Sequence, residues 1–281
     1  FNKSEMMFKD FLWYVNENNN EKNKIVFDKK LKVFSFEDLV FSHENQSISF
    51  KGLINGKSNK DLQLSFKDVN LNKITPDVEK FKFDGFLNGD VFLKQNSSAY
   101  QPTASLIINK LFVNDNEFGN MNLVIKGNED FSKFNINSTI ENENFESFKA
   151  DGNLQIINEQ TLLDLDLNFQ KFNLGILNNI GGEVLSNIRG NVSGNARIDG
   201  NINNIDYNGR LYVDGAGLTA PYLNVDYEIK PNSIVDVTRE KFIIRRTKIT
   251  DTKFKTEGNL EGFIKHKKFE NWELNLNIDS K

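Results

Sequence analysis

The chain has 281 residues, with 35 Lys and Arg against 39 Asp and Glu and a formal net charge of -4. That length suits one large all-β unit or two ordinary domains. The scattered lysines form no basic stripe, so a nucleic-acid partner has no electrostatic footprint. The absence of cysteine excludes disulfides, thiolate nucleophiles and thiolate metal centres.

The chain opens on Phe1 with no initiator Met or signal-like segment, and both ends fall in patterned sequence, so a piece of a longer protein is expected. Its longest apolar runs, such as residues 11–15, fall far short of the roughly 20 residues that span a bilayer. In that first run Met7, Phe8, Phe11, Leu12 and Val15 fit a helical spacing. Phe11, Trp13 and Val15 fit a strand, which is the preferred reading.

From there a period of two dominates. Apolar residues alternate at Ile48 and Phe50; at Leu62, Leu64 and Phe66; at Leu106 and Ile108; at Leu123 and Ile125; at Phe134 and Ile136; and at Leu154 and Ile156. The series continues through Leu163, Leu165, Leu167 and Phe169, then Leu211 and Val213, Val235 and Val237, and Leu274, Leu276 and Ile278. Asn, Asp, Lys, Ser and Gln fill most intervening positions. Each strand therefore has one apolar and one wet face, as in antiparallel sheets exposed on one side. Turns are expected at Asn114-Asp115-Asn116, Gly127-Asn128, Asp214-Gly215 and Pro231-Asn232. The exception is residues 176–188, where apolar residues at 176, 177, 180, 184, 185 and 188 form a helical stripe weakened by Gly181 and Gly182.

Four glycine pairs punctuate this pattern: Gly52 and Gly56, Gly85 and Gly89, Gly190 and Gly194, and Gly258 and Gly262. The second and third recur at an offset of 105 residues, which also carries Leu106 onto Leu211 and Ile108 onto Val213. Matched landmarks at one interval indicate a long internal repeat, and the other intervals make it irregular. The expected organisation is one continuous repetitive β unit over 1–281, with approximate sub-repeats 46–175 and 189–281 joined by a helix at 176–188. The glycines are expected where strands bend or backbones approach closely.

The sequence carries no convincing reaction centre, and no enzyme, cofactor or metal is expected. His43 and His266 are far apart and read as two unrelated surface residues. Asp164 and Asp166 share the strand face opposite the leucines, which a solvated face explains. Arg245, Arg246, Lys267 and Lys268 read as charge pairs on the wet side or a guarded edge rather than as a lipid headgroup site. Phenylalanine stands at 25 copies against 6 Tyr and 2 Trp. AT-rich codons explain part of that excess, and a need for purely apolar surface explains the rest, because Phe seeks no hydrogen-bond partner. Whether a second sheet covers the apolar face or leaves a trough stays open at this level.

Glu183 to Gly190, Gly194, Ile198, Gly200, Tyr207, Gly209 to Leu211, Ala220 to Tyr227, Ile249 to Asp251, Gly258 to Gly262, His266, Phe269 and Trp272 together resemble the TamB family. The likeness is strongest to its Bacteroidota-type members within the AsmA-like group, and most specific from about 183 to 278. The resemblance implies a curled antiparallel or meandering β-sheet with a hydrophobic groove, a β-taco. It further implies a periplasm-spanning protein held in the inner membrane by a segment outside this chain. Its implied partners are phospholipid and a TamA-like or other Omp85-type barrel, in lipid transport or outer-membrane protein assembly. The candidate acyl-chain lining is Leu163, Leu165, Leu167, Phe169, Leu211, Val213, Leu274, Leu276 and Ile278. The alternative is a structural or adhesive surface β-repeat protein with an ordinary closed core.

Overall fold

A computed structural model describes residues 1–75, 82–142, 145–178, 185–267 and 270–280. Nineteen strands among them form a single sheet. They are β1 (Ser4–Phe8), β2 (Phe11–Val15), β3 (Lys24–Phe27), β4 (Val33–His43), β5 (Gln46–Asn55), β6 (Asn59–Asn70), β7 (Phe83–Asn96), β8 (Ala99–Val113), β9 (Asn116–Gly127) and β10 (Lys133–Asn142). They continue as β11 (Phe145–Ile157), β12 (Gln160–Asn173), β13 (Ser186–Asn201), β14 (Asn204–Ala220), β15 (Val225–Ile229), β16 (Ser233–Thr238), β17 (Lys241–Asp251), β18 (Glu257–Lys267) and β19 (Glu270–Ser280).

The topology is an antiparallel meander. Strands β4 to β14 pair each with the next, as do β16 to β19. β15 and β16 divide the gap between β14 and β17. At the start, β2 and β3 pair with different parts of β4, and β1 pairs with β2. Tight turns make this possible: Asn114-Asp115 and Asn158-Glu159 have positive φ at both residues (51° and 64°; 49° and 64°). That is the mirror-image turn whose twist matches a hairpin.

Residues 11–15 are a strand, as the alternation suggests. The helical stripe at 176–188 is described only at its two ends. Leu174–Leu177 form a single 3₁₀ turn capped by Asn173, whose Oδ1 accepts the Gly175 N–H at 2.8 Å. Residues 186–188 belong to β13, while 179–184, including Gly181 and Gly182, lie outside the described residues. A short α-helix, α1 (Leu71–Ile74), is started by Asn70, whose Oδ1 accepts the Asn72 N–H at 2.9 Å. Asp214-Gly215 is not a chain reversal. It lies inside β14, where Gly215 at φ 56° coincides with a register shift against β13.

The sheet is creased by a series of register slips. Register slips between Phe36 and Leu39, Phe66 and Val69, Ile108 and Leu111, Phe169 and Phe172, and Ile244 and Thr247. In the first four, the residue before the second member has a left-handed φ: Asp38 at 42°, Asp68 at 50°, Lys110 at 52° and Lys171 at 50°. These are β-bulges, which add one residue and bend the strand. Their displaced N–H groups find partners on the next strand: Asp68 donates to Asn88 Oδ1 at 2.9 Å and Lys171 to Ser193 Oγ at 2.9 Å.

The paired glycines serve this crease. Gly89 lies between Phe66 and Leu106, and Gly194 between Phe169 and Leu211. A Cβ on Gly89 would stand 2.1 Å from Ser105 O, and one on Gly194 would stand 2.3 Å from Arg210 O. The strands therefore approach more closely than any side chain allows. The offset of 105 is thus a repeat of hairpin geometry, since the turn bounded by Asn96 and Ala99 recurs between Asn201 and Asn204. The first pair is out of phase: Gly52 takes the crease position opposite Phe36, while Gly56 at φ 65° makes the hairpin turn.

The accessible surface is 17125 Å², against about 12,300 Å² for a compact monomer of this mass by the usual surface scaling. One curled sheet without a second layer accounts for the excess.

Candidate functional site: an apolar trough

Cross-strand register turns the period-two pattern into continuous rows. Val15, Phe41, Ile48, Phe66, Gly89, Leu106, Leu123, Ser138, Ala150, Leu167, Ala196, Gly209, Val237, Phe242, Ile264 and Leu274 are successive partners, one from each of sixteen strands. Ser138 is the one polar member. A second row runs Val69, Leu87, Ile108, Met121, Ile140, Phe148, Phe169, Gly194, Leu211, Val235, Ile244, Gly262 and Leu276 with no polar member. At about 4.8 Å between strands, the sixteen-strand row is on the order of 70 Å long.

The face is closed along one margin and open along the other. Past the crease, Trp13, Val69, Leu71, Leu87, Leu111, Val113, Phe118 and Ile140 are buried in one cluster. Helix α1 and the turn at 174–177 contribute Leu71, Ile74 and Ile176 to it. The sheet curls hardest there: Phe118 of β9 and Phe172 of β12, three strands apart, bring their rings to 4.9 Å. Phe148 and Phe169 complete the aromatic group at 5.8 and 5.5 Å from Phe172. Toward the opposite hairpin turns, Leu62, Leu64, Val91, Ile125, Ile136 and Leu154 are only half-buried. A cavity of about 820 Å³ opens at this margin, among Ile202, Ile205, Tyr207, Arg239, Lys265 and His266.

The nine residues singled out from sequence share this face by register. Leu163, Leu165, Leu167, Phe169, Leu211 and Leu276 are half-buried and Val213 is buried, whereas Leu274 and Ile278 are 38% and 40% exposed on edge strand β19. The alternation missed the deepest lining. Continuing the period of two beyond Phe169 would put Lys171 inward and Phe172 outward, but the bulge reverses the phase and packs half-buried Phe172 against the buried cluster. The same reversal hides Val69 and Leu111. The available signal was an apolar residue three positions after the last regular one, in Phe66 to Val69, Ile108 to Leu111 and Phe169 to Phe172.

The other face is wet and laced with cross-strand charges. Arg197 Nη2 lies 2.7 Å from Asp164 and its Nη1 3.6 Å from Asp166, so these carboxylates belong to a solvated ladder. Asp236 accepts from Arg210 Nε at 2.7 Å and Arg245 Nε at 2.6 Å, and its pKa is lowered first by the Arg210 bond. Arg246 lies 3.4 Å from both Glu261 and Asp279. Lys268 lies outside the described residues. Where β14 meets β15, Asp226 takes both guanidinium nitrogens of Arg189 at 2.8 and 3.2 Å and the Thr252 hydroxyl at 2.7 Å. These bonds, Arg189 first, lower its pKa.

The histidines are in separate environments, but neither is a surface residue. His43 places Nδ1 2.7 Å from Leu12 O and Nε2 2.7 Å from Lys73 Nζ. His266 is 2% exposed, with its ring parallel to Tyr207 at 5.9 Å and 5.1 Å from Phe242. The Tyr207 hydroxyl stands 2.9 Å from His266 Nε2. Burial pushes the Tyr207 pKa up to about 12 and lowers that of His266. Each ring completes the apolar packing at a strand end. Among the described residues no cluster of His, Asp and Glu could hold a metal ion, and no helix is long and apolar enough to cross a membrane.

A single creased antiparallel sheet with one continuous apolar face defines a trough-forming β protein. Residues 15–213 match the family model of the TamB N-terminal domain, and the chain belongs to the TamB family. The match covers the first part of the chain, whereas the likeness read from sequence was most specific from about 183 to 278. The family is one of envelope biogenesis in the periplasm, working with outer-membrane partners. No curated protein and no solved structure matches the chain.

Proposed function

We propose that this chain is a non-enzymatic segment of a periplasmic conduit whose trough shields phospholipid acyl chains passing between the inner and outer membranes. The observation that carries the reading is the pair of register rows, which hold one polar residue between them across the sheet. The inward positions Leu163 to Phe169 of one strand span about 20 Å at 3.3 Å per residue. An acyl chain occupies half of a bilayer core about 30 Å thick, so it fits along one strand. Each shielded CH₂ stabilises the complex by about 0.8 kcal/mol, so affinity is spread over many contacts. Inner-membrane anchoring and docking to an Omp85-type barrel, with any part in barrel assembly, would fall to segments outside this chain. An ordinary closed core would need a second sheet, and all nineteen described strands belong to one.

Mass spectrometry of organic extracts of the purified chain tests this. Co-purifying phospholipid is expected, and Leu165→Asp, on a half-buried trough position, should abolish it with little loss of folded protein. A lipid-free parent, or equal loss of lipid and fold in the variant, would refute the reading in favour of plain core packing.

A further inference from the structure

The hairpin turn between β3 and β4 has an unusual composition: Asp28, Lys29, Lys30, Leu31, Lys32. Its geometry is fixed by Asp28, whose Oδ1 accepts the N–H groups of Lys32 at 2.6 Å and Val33 at 2.9 Å. The Leu31 N–H donates to Asp28 O at 3.0 Å. Leu31 itself has φ 51° and is 60% exposed. Leucine at a left-handed turn position is disfavoured, and Asn or Gly would remove that strain. A strained backbone here holds an apolar side chain in water. Phe27, at the base of the turn, is also 60% exposed. Lys29, Lys30 and Lys32 are exposed, and no ion pair or hydrogen bond occupies their ammonium groups among the described residues. The next turn adds exposed Lys57, and the two turns are joined by Gly56 N–H donating to Lys32 O at 2.7 Å. Asp28 is the only acid within the two turns, and its carboxylate is already committed to backbone N–H groups.

We propose that these paired turns dock the open margin of the trough on an anionic lipid bilayer, with Leu31 and Phe27 entering the headgroup boundary and Lys29, Lys30, Lys32 and Lys57 lying against lipid phosphates. The charge is complementary to anionic headgroups, and each basic residue near such a surface strengthens binding roughly fivefold. The apolar tip separates a bilayer from an acidic protein surface, because an apolar side chain ringed by ammonium groups gains from a boundary that is polar outside and hydrocarbon within. An acyl chain leaving the bilayer would then meet the open margin directly.

The test is co-sedimentation of the 281-residue chain with phosphatidylglycerol–phosphatidylcholine vesicles and with pure phosphatidylcholine vesicles. Salt-sensitive binding to the anionic vesicles alone is expected. It should fall at least tenfold in a Lys29→Gln, Lys30→Gln, Lys32→Gln variant and severalfold in Leu31→Asn. Asparagine accepts the left-handed conformation more readily than leucine, so Leu31→Asn should keep or raise the thermal midpoint, and its lost binding would not be a folding defect. Absence of vesicle binding, equal binding to neutral vesicles, or undiminished binding by both variants would overturn the proposal. The co-purifying lipid of the parent and of both variants, read by mass spectrometry, reports the trough separately, so failure of docking and failure of acyl shielding are distinguishable.

Discussion

Gly194→Ala isolates the close approach that shapes the crease. Gly194 has φ 138°, a region that is essentially glycine-only. An added Cβ would also stand 2.3 Å from Arg210 O and 3.1 Å from Leu211 Cα. A carbon and an oxygen need about 3.2 Å, so β14 must retreat by roughly 0.9 Å. Backbone strain of about 1–3 kcal/mol then adds to one or two weakened ladder bonds at about 0.5–1.5 kcal/mol each, for a total of about 1.5–6 kcal/mol. Two other glycines separate strain from contact. Gly200 has φ 102° with nothing nearer its ideal Cβ than 3.4 Å, and Gly215 has φ 56° with nothing within 4 Å. Each alanine there should cost only about 1–2 kcal/mol. Urea titration of the three variants, with hydrogen exchange at the β13–β14 amides, measures the ranking. Equal midpoint shifts would refute close approach as the reason for glycine at 194.

Other consequences follow from the charged and aromatic contacts. Asp226→Asn should destabilise the chain by about 1 kcal/mol at pH 7. The Asp226 pKa is lowered in the folded state, so its contribution is present above the ordinary carboxylate pKa and disappears as pH falls through the folded value. Parent and variant stabilities measured against pH should therefore converge below about pH 3.8. A constant difference down to pH 2 would dissociate the effect from the ion pair. His266 has its folded pKa depressed by burial, so the unfolded chain binds its proton first as pH falls below 6.5. Parent stability should decline from pH 7 to pH 5, and His266→Phe should flatten that slope. Superimposable pH profiles would remove His266 as the cause.

The sequence by itself determined the strands, their two faces and the landmarks of the repeat. Side chains alternate across a strand whatever it pairs with, so Leu163 to Phe169 and Leu274 to Ile278 declare one apolar face without further information. Solvated carboxylates at Asp164 and Asp166 were equally legible, because a polar residue between leucines must face away from them. Tertiary structure alone decided which of those strands join, and hence that their leucines form unbroken rows. It also decided the deepest part of the trough. Asp68, Lys110 and Lys171 take left-handed conformations, which Asp tolerates and Lys does not favour, and each reverses the inward phase of its strand. Phe172 is therefore a lining residue that the alternation assigns to water. It meets Phe118 more than fifty residues away because four strands curl together, a contact that local periodicity cannot encode. Burial of His266 against Tyr207 and Phe242 is likewise a product of register, since nothing in its neighbours along the chain distinguishes it from a surface histidine.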